Sequence, residues 1–154
     1  MRTMLLGLAL LGFAVSFGGC VSITVDEQVV KDETPDCSSP RIMNAGQITG
    51  TPVASQPLAN APGKTLTATL LSVPPGAKSN PHQHSGTVFV YVVEGAVCSQ
   101  VTGDTGLKPY KAGQSFFEPP GSQHLGFTNP GLTTAKVLVT FIADTGATLT
   151  MPVQ

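Results

Sequence analysis

The chain has 154 residues, enough for one domain with a buried core. Its 17 glycines, 13 prolines and absence of tryptophan favour short strands joined by turns over helices. Eight basic and nine acidic residues leave a net charge of −1, which provides no electrostatic footprint for nucleic acid. We therefore expect a single all-β domain that does not bind nucleic acid.

The N-terminus has the pattern of an export signal. Arg2 precedes an apolar run, 4–15, that is too short to span a membrane. The residues after it resemble the bacterial lipoprotein lipobox ending at Cys20, although Phe17 stands where an aliphatic residue is usual. We predict a lipoprotein of the periplasm or cell envelope that touches the membrane only through lipid on Cys20. The alternative is an ordinary signal peptide that is cleaved nearby, for instance after Ser16.

Acidic residues cluster directly after the predicted signal. Five of the nine lie within 26–36, and a run of this kind is typical of a solvated linker. We predict a signal peptide over 1–19, an acidic linker over 20–41 and a globular domain over 42–154.

Two cysteines, Cys37 and Cys98, remain once Cys20 is assigned to lipid. An even pair in an exported protein permits a disulfide. The alternative is two unrelated thiols, with Cys98 packed in a strand and Cys37 in the linker. The sequence leaves both interpretations open.

Short strands and turns follow one another through the rest of the chain. The segment 41–63 is broken by three prolines and is typical of arm strands at a sheet edge. Alternation predicts a strand over 65–73, and the longest predicted strand is 135–143. The apolar run 88–93 predicts a strand buried on both faces, with 96–102 as the return strand of a hairpin. The pattern indicates a sandwich or barrel.

Two histidines, His82 and His84, stand two residues apart just before the run 88–93. On an extended strand both imidazoles project from one face, which is a geometry suited to a metal ion. The only other histidine is His124. The question is whether this third imidazole reaches the same ion.

The histidines fall in two motifs that resemble those of a small single-domain cupin. In the first motif, Gly76, His82, His84 and Gly95 stand at the family's spacings, and Val88 occupies the position of its glutamate. The second motif is matched by Gly113, Pro119, Gly121 and His124. Thr128 occupies its asparagine position, and Asn129 follows one residue later.

The resemblance covers about 64–143 and indicates a cupin-2 type member of the RmlC-like superfamily. The segment 117–121 further resembles exported bacterial cupins akin to the quercetin-dioxygenase-like group. This likeness implies a jelly-roll barrel, or double-stranded β-helix. It also implies that the 41–63 arm takes part in a homodimer.

The resemblance implies a metal centre made by His82, His84 and His124. With Val88 in place of the glutamate, three neutral nitrogens would leave the ion its full charge and an open position. Such a site should favour an anionic or bidentate substrate, as in the three-histidine thiol and diketone-cleaving dioxygenases. We expect one divalent transition metal, Fe(II) first, with Zn, Cu, Ni or Mn as alternatives.

Glu118 is the candidate catalytic carboxylate, either as a base or as a replacement ligand. A glutamate before Pro-Pro-Gly is more often a residue of the cavity rim, and we expect Glu118 at the rim. The candidate substrate-pocket residues are Val88, Phe89, Val90, Tyr91 and Phe117.

Two Asp-Thr-Gly triplets, at 104–106 and 144–146, resemble the aspartic protease motif. Only eight residues follow the second triplet, too few for the strand and loop that this family needs. Asp and Gly also suit turns, so we predict two turns.

Two functions are consistent with these residues. The first is a metal-dependent dioxygenase-type enzyme acting on a small anionic, enol or thiol substrate. The second is a non-catalytic small-molecule-binding or metal-binding module tethered to the membrane. Cupins include both, so the fold alone does not decide between them.

Overall fold

The described part of the chain, residues 35–38 and 46–153 of a computed structural model, is built from β-strands. It contains eleven strands and no helix, so the predicted all-β fold is confirmed there. Consequently it includes no helix long and apolar enough to cross a membrane. The predicted signal peptide, the lipidation site Cys20 and most of the acidic linker lie outside the described residues.

Five strands form the first antiparallel sheet. Their order across the sheet is β1, β2, β10, β5 and β8. They are β1 (Thr49–Pro57), β2 (Lys64–Val73), β10 (Ala135–Asp144), β5 (Thr87–Glu94) and β8 (Ser115–Glu118). The strands predicted over 65–73 and 135–143 are β2 and β10, each within one residue of the expected limits, and they pair along their whole length.

Six strands form the second sheet. Five follow the order β11, β4, β9, β6 and β7, and β3 also pairs with β9. They are β3 (Lys78–Ser79), β4 (His82–His84), β6 (Ala96–Val101), β7 (Lys108–Lys111), β9 (Gln123–Thr128) and β11 (Thr150–Pro152). Both sheets contribute to one hydrophobic core, which includes Val88 and Val137 from the first and Val97 and Phe127 from the second.

Two predictions about 88–93 and its neighbour were wrong. Strands β5 and β6 do not form a hairpin, because β5 pairs with β8 and β10 whereas β6 pairs with β7 and β9. The bend at Gly95 instead carries the chain from one sheet to the other. Strand β5 is buried on one face only, since Tyr91 and Val93 are 38% and 44% exposed. An apolar run does not reveal which of its alternate residues face the core.

Strand β1 is the edge strand that the prolines of the 41–63 segment predicted. Every one of its residues is exposed, and among the described strands it pairs only with β2. The pairing register shifts between Pro52 and Ala54, as expected where proline withholds a backbone donor.

A disulfide joins Cys37 to Cys98 of β6. The sequence left open whether these two cysteines are bridged or are unrelated thiols, and in the structure they are bridged. Cys98 is fully buried, so the bond anchors the described segment 35–38 to the interior of the second sheet.

The glycines of both sequence motifs have a conformational explanation. Gly76, Gly95, Gly113 and Gly121 have φ angles of 74°, 72°, 90° and 81°. Glycine takes positive φ without steric cost, whereas a side chain would strain these turns. Gly121 sets the bend before β9, the strand of His124, whereas Gly76 precedes β3, Gly95 follows β5 and Gly113 precedes β8.

Candidate metal centre and cavity

The three histidines lie on two neighbouring strands of the second sheet. His82 and His84 are the first and last residues of β4 and therefore project from one face. His124 lies on β9 directly opposite His82 in the antiparallel pairing, so its side chain leaves the same face. The structure brings together the three residues that the sequence predicted.

Backbone carbonyls orient the first two imidazoles. Nδ1 of His82 donates to the carbonyl of Asn80 at 2.8 Å, and Nδ1 of His84 donates to the carbonyl of Leu149 at 2.8 Å. A carbonyl only accepts, so each Nδ1 carries the proton and each Nε2 keeps its lone pair. Metal-binding histidines are commonly held in this way by a partner on the outer nitrogen.

A buried hydroxyl orients the third imidazole. Oγ of Ser99, on β6, shares a hydrogen bond of 2.9 Å with Nε2 of His124. Both residues are buried, at 1% and 5% exposed. Nδ1, the other ring nitrogen of His124, lies 3.3 Å from Oε2 of Glu118.

One ligand nitrogen from each histidine can serve the same ion. The candidate ligand atoms of His82, His84 and His124 lie within 4.8 Å of one another. Nitrogens on one tetrahedral zinc ion are about 3.4 Å apart, so the largest separation would have to shorten by about 1.4 Å, shared between two side chains. The donor set therefore fits a divalent transition metal.

Glu118 is buried beside the histidines, which makes the expected rim position wrong. It is 2% exposed, and its Oε2 lies 3.3 Å from Nδ1 of His124 and 3.6 Å from Nε2 of His84. Oε2 has no hydrogen-bond partner among the described residues. This position is compatible with either of the roles considered for Glu118 in the sequence, a base or a replacement ligand. A buried oxygen without a partner is what a missing cation would leave.

Burial alters the charges of this cluster. It raises the pKa of Glu118 to about 7. Burial, together with the neighbouring His82 and His84, lowers the pKa of His124 to about 3, and burial also lowers the pKa of His84. At neutral pH His84 and His124 are therefore uncharged, the form in which imidazole binds metals.

A cavity of about 1010 Å³ opens onto the three histidines and Glu118. This is at the upper end of the range for small-molecule sites. Its apolar wall comes from both sheets and includes Leu71, Val90, Phe116, Phe127, Val139 and Phe141. Polar lining residues include Lys78, Ser79 and Thr150.

Of the predicted pocket residues, only Val90 lines this cavity. Phe117 is 61% exposed, and it packs against Phe89 on the outer face of the first sheet with ring centroids 5.1 Å apart. Tyr91 is also exposed, and Val88 is fully buried in the core. Alternation along β5 and β8 turns Phe89, Tyr91 and Phe117 away from the cavity, whereas Val88 shares the inward face of Val90 and is covered by the core.

Sequence reasoning missed two hydroxyl residues of the site. Ser99 orients His124 through a hydrogen bond. The sequence feature that could have indicated this role is a small polar residue within the largely apolar strand 96–101. Ser79 lines the cavity, and its Oγ is buried without a hydrogen-bond partner in the described part of the chain. Neither role follows from a motif.

The triplet at 144–146 turns at Thr145 and Gly146, as predicted, whereas the triplet at 104–106 is a bend that follows a turn at 102–103. A carboxylate oxygen of Asp104 accepts from the backbone N–H of Val101 at 3.0 Å, and Asp144 forms an exposed ion pair with Lys64. The turn at Gly146 has a φ angle of 88°.

Comparisons with known proteins agree with this architecture. A family model described as a cupin domain matches residues 69–141. A cupin 2 conserved barrel domain protein from Salinispora arenicola CNS-205 is 24% identical with a TM-score of 0.50, covering 63% of this chain and 76% of that chain. The Cnp3 cupin domain of Schizosaccharomyces pombe is 18% identical with a TM-score of 0.53, covering 70% of this chain and 68% of that chain.

A third similar structure is an enzyme. The DMSP lyase DddQ from Ruegeria pomeroyi DSS-3 is 20% identical with a TM-score of 0.51, covering 56% of this chain and 42% of that chain. No curated protein matches the chain. At these identities the structural likenesses establish the fold and nothing about substrates.

Proposed function

We propose, on the match of residues 69–141 to the cupin domain model, that the chain is a cupin of the cupin-2 type and a metal-dependent, dioxygenase-like oxidoreductase. Its substrate class is a small anionic, enol or thiol compound. The observation that carries the proposal is the cluster of three imidazoles whose inner nitrogens lie within 4.8 Å of one another at the wall of a large cavity.

His82, His84 and His124 would hold the ion. Imidazole nitrogens beside a carboxylate suit Fe(II), which we expect first, and also accept Zn, Cu, Ni or Mn. The bound ion would supply Lewis-acid chemistry and, as Fe(II), electron transfer to dioxygen. A dioxygenase places both oxygen atoms in its product, so the reaction needs no further reductant.

The cavity residues would select and orient the substrate. The apolar wall excludes water from the reacting groups. The hydroxyl of Ser79 has no hydrogen-bond partner among the described residues and would be available to donate to an anionic oxygen. Lys78 lines the same cavity and is exposed, so its positive charge would attract an anion from solvent.

Metal analysis is the first test. We expect protein purified without added metal to contain close to one transition metal ion per chain, or to take up one Fe(II) or Zn(II) on loading. His84→Ala should lose that ion, because it removes one of three ligands. The matched control is Gln83→Ala on the same strand, which should keep it. A wild-type protein that cannot be loaded with any divalent metal would rule the proposal out.

Turnover is the second test. We expect the Fe(II)-loaded protein to consume dioxygen with a member of a panel of small enols, thiols and flavonols, and His84→Ala to abolish that consumption. Stoichiometric metal without turnover of any compound would instead support the non-catalytic binding module. The signal peptide, the lipid anchor, the periplasmic or envelope location and the homodimer stay predictions.

A further inference from the structure

Strand β8 carries a buried carboxylate that no lysine or arginine of the described residues pairs with. Among the ion pairs of the described residues, Glu118 is paired only with His84 and His124, at 3.6 and 3.3 Å. Its Oε2 accepts no hydrogen bond within the described part of the chain. Burying a carboxylate without a partner is costly, so an external cation is the simplest way to stabilise it.

The position of Glu118 is related to Val88 by strand pairing. The two residues stand directly opposite each other in the antiparallel ladder between β5 and β8. Directly opposed residues project from the same face with Cβ atoms about 5 Å apart. Val88 is the position at which the sequence resemblance places the usual glutamate, so the carboxylate lies one strand away from its usual site and still points into the same layer.

We propose that Glu118 is the fourth protein ligand of the ion, a carboxylate supplied by β8 in place of one on β5. This rests on the proposed metal centre and defines its ligand set as three nitrogens and one oxygen. The oxygen already lies 3.3 Å from the inner nitrogen of His124 and 3.6 Å from that of His84. These separations match those between neighbouring ligands on one ion, which are about 3 to 3.5 Å at metal–ligand distances near 2.1 Å.

The test exchanges the two residues across the strand pair. The proteins compared are the wild type, Glu118→Gln, Glu118→Val, the double variant Glu118→Val/Val88→Glu, and Glu94→Gln as a control. Glu94 is an exposed glutamate of β5 outside the site. Zn(II) and Co(II) affinities are measured by competition titration, and the visible spectrum of the Co(II) forms reports the ligand set.

We expect each single Glu118 variant to lose more than about 100-fold in affinity, beyond the roughly 10- to 100-fold cost of losing an outer hydrogen-bond partner. The double variant should recover to within about tenfold of wild type, because it restores a carboxylate in the same layer. Its Co(II) spectrum should also return towards that of wild type. Glu94→Gln should match wild type throughout.

Wild-type affinity and an unchanged Co(II) spectrum in Glu118→Gln would overturn this inference while leaving the three-histidine centre in place. Failure of the wild type itself to bind either metal would overturn the proposed function, and the ligand assignment with it. Circular dichroism of each variant confirms folding, and Glu118→Gln keeps the size of the side chain should Glu118→Val not fold.

Discussion

Ser99 is the residue on which the orientation of His124 depends. The ring has neighbours in Phe116 and Phe127, and among the described residues it shares a side-chain hydrogen bond only with Ser99. Aromatic edges restrict the plane of the ring and do not distinguish its two nitrogens, whereas the hydroxyl does. Ser99 is therefore a positioning residue.

Removing that hydroxyl should weaken metal binding. We predict that Ser99→Ala lowers Zn(II) affinity by roughly 10- to 100-fold, because the ring of His124 loses its fixed orientation. The unpaired nitrogen should also cost about 1 to 3 kcal/mol of folding stability. Titration and chemical unfolding measure the two effects, with exposed Ser115→Ala as the control. Unchanged Zn(II) affinity would show that packing alone orients the ring.

The junctions between strands are held by a few buried groups. Asn129 follows β9, is 1% exposed, and its amide donates to the carbonyls of Val73 at 2.7 Å and Thr133 at 2.8 Å. Its side-chain oxygen accepts from the backbone N–H of Gly131 at 2.8 Å. One side chain thus connects the end of β2 to the loop between β9 and β10.

Truncating Asn129 should loosen this junction. We predict that Asn129→Ala lowers the free energy of unfolding by about 3 kcal/mol, because it leaves buried carbonyls unpaired. Urea denaturation measures the change. Thr133→Ala is the control, since that residue contributes its backbone carbonyl and its side chain is exposed. Equal stability of the two variants would mean that water replaces the amide.

Close packing between the start of β5 and the end of β10 allows no side chain at Gly86. A Cβ atom there would lie 2.2 Å from the carbonyl oxygen of Ile142 and 2.8 Å from Cα of Ala143. Both contacts are to backbone, which cannot move without disturbing the sheet.

We predict that Gly86→Ala destabilises the fold by about 2 kcal/mol or more through this overlap. The matched control is Gly106→Ala, because a Cβ at Gly106 meets nothing within 4 Å. Thermal unfolding of both variants tests the prediction. A Gly86→Ala protein as stable as its control would show that the two strands can separate at low cost.

The strands were predictable to different degrees. The alternation of side chains predicted the limits of β2 and β10 to within one residue, because the two faces of each strand carry side chains of different polarity or size. The partner of β5 was not predictable, since pairing depends on residues far along the chain. The site was likewise only partly predictable. Sequence spacing identified His82, His84 and His124, whereas the burial of Glu118 depends on how β8 packs against the rest of the molecule, which spacing does not show.

The disulfide is the one covalent constraint in the described part of the molecule. It joins Cys37 to Cys98, which are 61 residues apart in the sequence, and so closes a long loop of the chain. Such a loop restricts the unfolded chain, and the entropy model gives about 4 kcal/mol for this length.

We predict that reduction lowers the free energy of unfolding by about 2 to 4 kcal/mol. Chemical denaturation with and without reductant measures the difference. The double variant Cys37→Ala/Cys98→Ala should be destabilised similarly and should not respond to reductant. A wild-type protein indifferent to reductant would show that the bond does not form in solution.

The pairing of Val88 with Glu118 also affects how related sequences should be searched. A pattern that demands an acidic residue at a single position will score this chain as a degenerate centre. If Glu118 binds the ion as proposed, a search that accepts an acidic residue at either of the two paired positions would recognise a four-ligand centre in this chain. Chains set aside as inactive for lack of the first-motif glutamate can be sorted by that rule before any of them is purified.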